Sequence, residues 1–130
     1  GIRPGRAGEG ILQHARCQLV MAARAAGMDA VDTICLNLQD HEGLRAEATQ
    51  AAALGFTGKL AIHPAQVSII HEAFTPSAER VMRAERVLET WRQAEAEGRG
   101  VCTLDGDLIE RPVVEAERRV LERARQAGKL

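Results

Sequence analysis

Two short apolar runs flank a segment with helical patterning, and this arrangement constrains the fold most strongly. Residues 31–38 and 58–62 are rich in β-branched and apolar side chains and too short to be helices. Neither run alternates polar and apolar residues, which is typical of parallel strands covered on both faces. The intervening residues 39–57 are long enough for the crossover that a parallel pair requires. The sequence therefore predicts a βαβ unit within an α/β fold.

Helical patterns account for most of the remaining chain. A first amphipathic helix is predicted over 10–26, closed by Gly27, with an inward face of Ile11, Leu12, Ala15, Leu19, Ala22, Ala23 and Ala26. A second ends at Gly55, a short one covers 66–74, and a long one starts at Thr75-Pro76 and ends near Gly98. The dipeptide Asp105-Gly106 predicts a tight hairpin turn. A last helix is expected over 112–127, with Val113, Val120, Ala124 and Ala127 facing inward.

Charge and composition narrow the function classes. With 17 basic and 18 acidic residues the net charge is −1, so no broad positive field is available for nucleic acid or an anionic membrane. No run of apolar residues is long enough for a membrane span. The three cysteines are widely spaced within apolar segments, which favours reduced thiols and a cytoplasmic location. The first residue is Gly rather than Met, and we expect the chain to be a piece of a larger protein.

General catalytic motifs are mostly missing, so position along the predicted strands is the best guide to function. No two histidines share a helical face, no cysteine pair accompanies them, and no nucleophile elbow is found. Two loops follow the strands, at 37–42 and 63–66, where α/β proteins bind ligands. Each loop is interpreted equally well as a ligand contact or as a helix cap. His63 alone is more typical of a structural, hydrogen-bonded histidine.

One long motif resembles a known family. The run GFTGKLAIHPAQV at 55–67, followed by FTPS at 74–77, is similar to the citrate lyase beta-subunit family of CoA-ester lyases within the HpcH/HpaI aldolase superfamily. The run AARAAG at 22–27, a DxxGL turn starting at Asp40, and LDG at 104–106 occur in the same order as in that family. The resemblance covers nearly the whole chain.

The resemblance implies a fold and a chemistry. The chain would be the C-terminal part of a TIM (β/α)8 barrel: residues 1–98 would form its last β/α units, and residues 99–130 a hairpin-helix extension serving as a lid or oligomer contact. The implied activity is Mg²⁺-dependent retro-aldol or Claisen cleavage of a 3-hydroxyacyl-CoA thioester of the citryl, malyl or citramalyl class, with a small 2-oxo acid as partner. The magnesium ligands would lie on earlier strands, so no residue of this chain is assigned to a metal. A homo-oligomer, trimeric or hexameric, is expected.

The resemblance also implies particular site residues. Ile62, His63 and Pro64 match the strand end that lies beside the pantetheine arm of CoA. Glu110 stands where relatives commonly have an Asp that acts as acid/base in a neighbouring subunit, and its longer side chain keeps the carboxylate. Asn37 also stands where many relatives have Asp.

Two other functions remain open. One is a 2-oxo acid aldolase that does not use CoA, and the other is a non-catalytic α/β fragment that oligomerises through exposed barrel edges. The acidic residue at Glu110 favours the CoA-dependent reaction over the first of these.

Overall fold

A computed structural model describes the backbone of residues 6–130 and the side chains from Gly10 onward. The chain divides into two compact units after Phe74. The described part of the first unit contains α1 (Arg6–Ala25), β1 (Val31–Asp32), α2 (His41–Leu54), β2 (Gly58–Lys59) and α3 (Pro64–Phe74). The second contains α4 (Ala78–Ala96), β3 (Cys102–Leu104), β4 (Asp107–Ile109) and α5 (Arg111–Gln126).

The two predicted strands of the first unit are parallel neighbours. Val31 pairs with Gly58, and Asp32 pairs with Lys59, with α2 as the connection between the strands. Gly55 has a left-handed conformation (φ 100°) and ends α2, as its sequence position predicts. The βαβ unit is therefore confirmed, and with it the α/β class of the fold.

Both strands are much shorter than predicted. The Leu60 N–H donates to the Asp32 carbonyl at 3.0 Å. Beyond this bond, side chains rather than backbone N–H groups donate to carbonyls of the first apolar run. Lys59 Nζ donates to the Thr33 carbonyl at 2.8 Å, and Gln66 Nε2 donates to the Cys35 carbonyl at 2.9 Å. The apolar runs continue beyond the ladder, but their hydrogen bonds no longer join strand to strand.

The predicted inward face of α1 is wrong in detail. Ile11, Leu12 and Leu19 are exposed, whereas Val20 is buried and packs with Ala51 and Phe56. Apolar spacing identified an amphipathic helix correctly, but it does not specify how far a neighbouring element covers that helix.

The second unit is built around a helical pair and the predicted hairpin. Its core includes Val87 and Trp91 from α4, Cys102 and Ile109 from the two strands, and Val114 from α5. β3 and β4 are antiparallel, and the turn between them has positive φ at both Asp105 (52°) and Gly106 (88°). This confirms the hairpin, since a two-residue turn of this kind requires φ above zero at both positions.

Several predicted boundaries in this unit change. Ser77, rather than Thr75, caps α4, because its Oγ accepts the Arg80 N–H at 3.1 Å. In α5, Val114 and Glu117 are buried, while Val113 is only partly buried. α4 packs with the hairpin and α5, and the compact units separate at 74/75. The assignment of residues 1–98 to a barrel and of residues 99–130 to an extension stays a prediction.

Cysteines and hydropathy add two observations. Cys17, Cys35 and Cys102 are free thiols. No helix within residues 6–130 combines the length and apolar character needed to cross a bilayer.

Candidate functional site

The segment that follows β2 begins α3. Pro64 is the first residue of that helix, a position that suits its fixed φ. His63 lies just before it, where Nδ1 accepts the Ala65 N–H at 3.1 Å and the carbonyl accepts the Gln66 N–H at 3.0 Å. The helix-capping interpretation of this loop is therefore confirmed. Ile62, His63 and Pro64 are all exposed, and their contact with a ligand stays a prediction.

Gln66 is a site residue that the sequence interpretation did not single out. Its side chain is 2% exposed, and it connects the ends of the two strands. Oε1 accepts the Ile62 N–H at 2.9 Å, while Nε2 donates to the Cys35 carbonyl at 2.9 Å. A signal was available: Gln66 precedes the buried Ile69 and Ile70 by three and four residues, which places a polar side chain within the buried stripe of α3.

A group of charged side chains joins the strands to the first two helices; Asp32 and Lys59 are buried, Arg16 is partly buried and Glu47 is exposed. Asp32 accepts two hydrogen bonds from Arg16, Nε to Oδ1 at 3.1 Å and Nη2 to Oδ2 at 3.0 Å. Lys59 Nζ lies 3.3 Å from Asp32 Oδ2 and 3.1 Å from Glu47 Oε2. Arg16 also donates to Gln50 Oε1 at 2.9 Å, so the group joins α1, β1, α2 and β2. Through its two cationic partners, Asp32 links β1 to α1 and β2.

A groove of about 1160 Å³ borders these charges in the first unit. Its lining combines Arg16, Asp32 and Lys59 with apolar side chains, among them Leu12, Leu19, Val31, Ile34, Phe56 and Leu60. The Arg16 guanidinium lies 5.6 Å from the centre of the Phe56 ring, within the range of a cation–π contact. The groove is therefore lined mainly by apolar side chains, and its charged side chains already form ion pairs with one another.

The loop after β1 uses its polar side chains locally. Asn37 Oδ1 accepts the Gln39 N–H at 3.2 Å, and Asp40 Oδ1 accepts the Gly43 N–H at 2.8 Å at the start of α2. Of the two interpretations of residues 37–42, helix capping is confirmed, and ligand binding stays a prediction.

Glu110 belongs to the second unit, at the N-cap position of α5. It is exposed and makes no side-chain hydrogen bond to the helix terminus. Two ion pairs join α4 to the elements before and after Glu110: Arg83 Nη2 contacts Asp107 Oδ2 at 2.7 Å, and Arg80 Nη2 donates to Glu117 Oε1 at 2.9 Å. The hydrogen bond and the charge of Asp107 raise the pKa of the Arg83 guanidinium.

The side chains from Gly10 onward do not form a magnesium site of their own. From the described side chains, no group of three His, Cys, Asp or Glu is placed to hold a metal ion. Magnesium prefers several oxygen ligands, and the buried carboxylate of Asp32 is bound to Arg16 and Lys59 instead. The donor set seen here does not fit a catalytic Mg²⁺ ion.

The match to known proteins defines the class. Residues 4–64 match the family model described as HpcH/HpaI aldolase/citrate lyase. Over these residues the chain is similar to this family of lyases and aldolases. More particularly, it is homologous to citrate lyase beta subunits and citramalyl-CoA lyases.

Two relatives show the extent of the similarity. Citrate lyase subunit beta of Haemophilus influenzae is 41% identical over 125 residues, which are 95% of this chain and 43% of the relative. Mitochondrial citramalyl-CoA lyase of Rattus norvegicus is 33% identical over 108 residues, which are 83% of this chain and 32% of the relative. The chain thus spans less than half the length of these relatives.

Solved structures agree with the sequence relatives. The protein CitE of Mycobacterium tuberculosis, in complex with magnesium, acetoacetate and coenzyme A, matches with a TM-score of 0.76 and 34% identity, over 95% of this chain and 45% of that protein. A citrate lyase from Burkholderia xenovorans matches with a TM-score of 0.77 and 25% identity, over 98% and 39%. The α/β fold of this chain is therefore that of part of a citrate lyase beta structure.

Proposed function

We propose that this chain is part of a Mg²⁺-dependent CoA-ester lyase that cleaves a 3-hydroxyacyl-CoA thioester of the citryl, malyl or citramalyl class. One observation carries the proposal: nearly the whole chain matches a structure in complex with magnesium, acetoacetate and coenzyme A at 34% identity. The relatives named as citrate lyase subunits and citramalyl-CoA lyases support the same reaction class.

The proposed reaction is a retro-Claisen cleavage. A base removes the proton of the 3-hydroxyl group, the bond between carbons 2 and 3 breaks, and carbon 3 becomes the carbonyl of a 2-oxo acid. The electron pair remains on the acyl-CoA as an enolate, which an acid protonates at carbon 2. Magnesium, when bound, would stabilise negative charge on the oxygens. Because the described side chains offer no ligand set for it, its ligands are proposed to lie on other strands of a longer protein.

The contribution of this chain would come from two places. Ile62, His63 and Pro64 would lie beside the pantetheine arm of the thioester, which is supported by their exposed position after a parallel strand. Glu110 would serve as acid/base in the active site of an adjacent subunit. An exposed carboxylate without a capping hydrogen bond is free for this role.

The remaining proposals concern architecture and setting. The chain would supply the C-terminal part of a (β/α)8 barrel, residues 1–98 of it, with residues 99–130 as the extension, in a cytoplasmic homo-oligomer. The parallel β1–β2 pair with its helical connection supports the barrel, because this is the unit from which such barrels are built.

The test is a thioester assay on a full-length protein that contains this chain. Citryl-, malyl- and citramalyl-CoA are each incubated with and without Mg²⁺, and the 2-oxo acid and acyl-CoA products are quantified. Release of both products in equal amounts, dependent on Mg²⁺, is the expected result. If the protein cleaves aldol adducts of 2-oxo acids that carry no CoA, and cleaves no thioester, the result favours the CoA-independent aldolase. If it cleaves neither these adducts nor the thioesters, the result favours the non-catalytic fragment.

A further inference from the structure

The ends of β1 and β2 are joined by a side chain where a backbone ladder would be expected. Beyond the bond from the Leu60 N–H to the Asp32 carbonyl, side chains link the two apolar runs: Lys59 donates to the Thr33 carbonyl, and Gln66 bonds to both runs. The Ile62 N–H and the Cys35 carbonyl each bond to its carboxamide at 2.9 Å. The side chain is almost completely buried, so these two bonds are shielded from competing water.

A carboxamide carries the same donor and acceptor as a peptide group. Placed between two strands, it can therefore accept a hydrogen bond from one strand and donate a hydrogen bond to the other, as a peptide group of an intervening strand would. This arrangement satisfies a backbone N–H and a backbone carbonyl that the diverging strands would otherwise leave without a partner. It also holds the two strand ends at a separation set by the width of the carboxamide.

The backbone immediately after this bond is the exposed segment Ile62–His63–Pro64. His63 is fixed too, because its Nδ1 accepts the Ala65 N–H. A neutral imidazole that accepts at Nδ1 carries its proton at Nε2, so the His63 ring offers an Nε2–H donor. Such a donor suits a carbonyl acceptor, for example an amide or thioester carbonyl of a pantetheine chain.

We propose that Gln66 is a positioning residue for the ligand-binding segment 62–64, acting through the Ile62 backbone, and that the His63 Nε2–H binds a carbonyl of the CoA arm. The part concerning the ligand rests on the proposed function. The part concerning position rests on the two hydrogen bonds of the carboxamide alone.

Three variants of this chain test the positioning role. Gln66→Met keeps the length of the side chain and removes both bonds, and Gln66→Asn keeps a carboxamide too short to reach both partners. Ile69→Ala is the matched control, because it shortens a buried side chain of the same helix and leaves the carboxamide intact. The first readout is hydrogen exchange of the Ile62 amide by NMR.

We expect the Ile62 amide to exchange at least about tenfold faster in both Gln66 variants, relative to the other amides of the first unit, and to change little in Ile69→Ala. Gln66→Asn serves as the second case if Gln66→Met does not fold. An unchanged Ile62 exchange rate in the folded Gln66 variants, or an equal rise in the Ile69→Ala control, would overturn the positioning role.

The second readout is the affinity for free coenzyme A, measured by isothermal titration calorimetry on a full-length protein that contains this chain. We expect Gln66→Met and His63→Ala to weaken binding by about tenfold or more, while Ile69→Ala stays within about twofold. Unchanged affinity in the Gln66 and His63 variants would overturn the ligand part of the proposal. Failure of the unsubstituted full-length protein to bind coenzyme A would contradict the proposed function, and the exchange measurement would still decide the positioning role.

Discussion

Asp32 and Lys59 are register partners on the two parallel strands, and their side chains form a buried ion pair with Nζ 3.3 Å from Oδ2. Arg16 binds the same carboxylate from α1 through two hydrogen bonds. One carboxylate therefore contacts two cations, and Glu47 supplies the second negative charge. The group fixes the position of β1 relative to β2, and so of the strand ends that carry the candidate site.

We expect Asp32→Ala to lower the free energy of unfolding by about 3–5 kcal/mol, because it leaves the ammonium of Lys59 buried with reduced compensation. Urea denaturation followed by circular dichroism measures the change. The exposed pair Arg118–Glu115 on α5 supplies the control, and Glu115→Ala should cost less than about 1 kcal/mol.

The double variant Asp32→Ala/Lys59→Met separates the ion pair from its surroundings. If the pair is coupled, the double variant should lose less unfolding free energy, by at least about 1 kcal/mol, than the summed losses of Asp32→Ala and Lys59→Met. Strict additivity would mean that Arg16 and Glu47, rather than the Asp32–Lys59 contact, determine the loss.

Gly55 is a position in the first unit where a side chain should be harmful. Its φ of 100° lies in the left-handed region, and an added Cβ would lie 3.3 Å from Cγ1 of Val20. Gly55→Ala should therefore cost about 1–2 kcal/mol in unfolding free energy. Gly58→Ala is the matched control, since an added Cβ meets nothing within 4 Å there, and it should leave stability unchanged or raise it by up to about 1 kcal/mol. Equal effects at both glycines in thermal melts would contradict this explanation.

Local chemistry explains which parts of the fold the sequence predicts well. The hairpin at Asp105-Gly106 and the helix end at Gly55 depend on backbone conformations that few residues adopt, so their residue types are informative. The parallel pairing follows from the length and apolar character of two runs and of the segment between them.

Long-range hydrogen bonds explain what the sequence does not predict. The short ladder depends on Lys59 and Gln66, whose partners Thr33 and Cys35 lie far away along the chain. The cap of α4 depends on which of two nearby hydroxyl groups reaches the Arg80 N–H, and Ser77 does so. Polar side chains that replace backbone hydrogen bonds do not recur at a regular spacing along the sequence. Gln66 is therefore recognisable only because it lies within the buried stripe of α3.

The pair Arg80–Glu117 should stabilise the second unit far more than an exposed pair. Glu117 is buried, and Arg80 contacts both of its carboxylate oxygens. Arg80→Ala removes this partner and should cost about 2–3 kcal/mol, with Arg80→Lys intermediate because an ammonium cannot match the planar geometry. Arg92→Ala breaks the exposed pair with Glu89 on the same helix and should cost less than about 1 kcal/mol. Similar losses for Arg80→Ala and Arg92→Ala in urea denaturation would show that burial of Glu117 does not matter.

Glu110 is the residue on which the proposed catalytic contribution of the second unit depends. In a full-length protein that contains this chain, Glu110→Gln should lower kcat by about 10²- to 10⁴-fold if the carboxylate transfers a proton in the reaction. The affinity for Mg²⁺ should change little. Glu85→Gln, an exposed carboxylate on α4, is the control and should keep full activity. Undiminished turnover in Glu110→Gln would leave this residue as a surface carboxylate.

A mixed oligomer tests whether Glu110 acts on its own subunit or on a neighbour. Inactive Glu110→Gln subunits are combined with subunits that are inactive because they lack a magnesium ligand. If the carboxylate acts across the interface, a Glu110 from the second type completes the active site of the first type, whose metal site is intact, and part of the activity returns. If Glu110 serves its own subunit, every site in the mixture lacks one of the two groups. The mixture then stays inactive at all ratios, which is the result that would exclude catalysis between subunits.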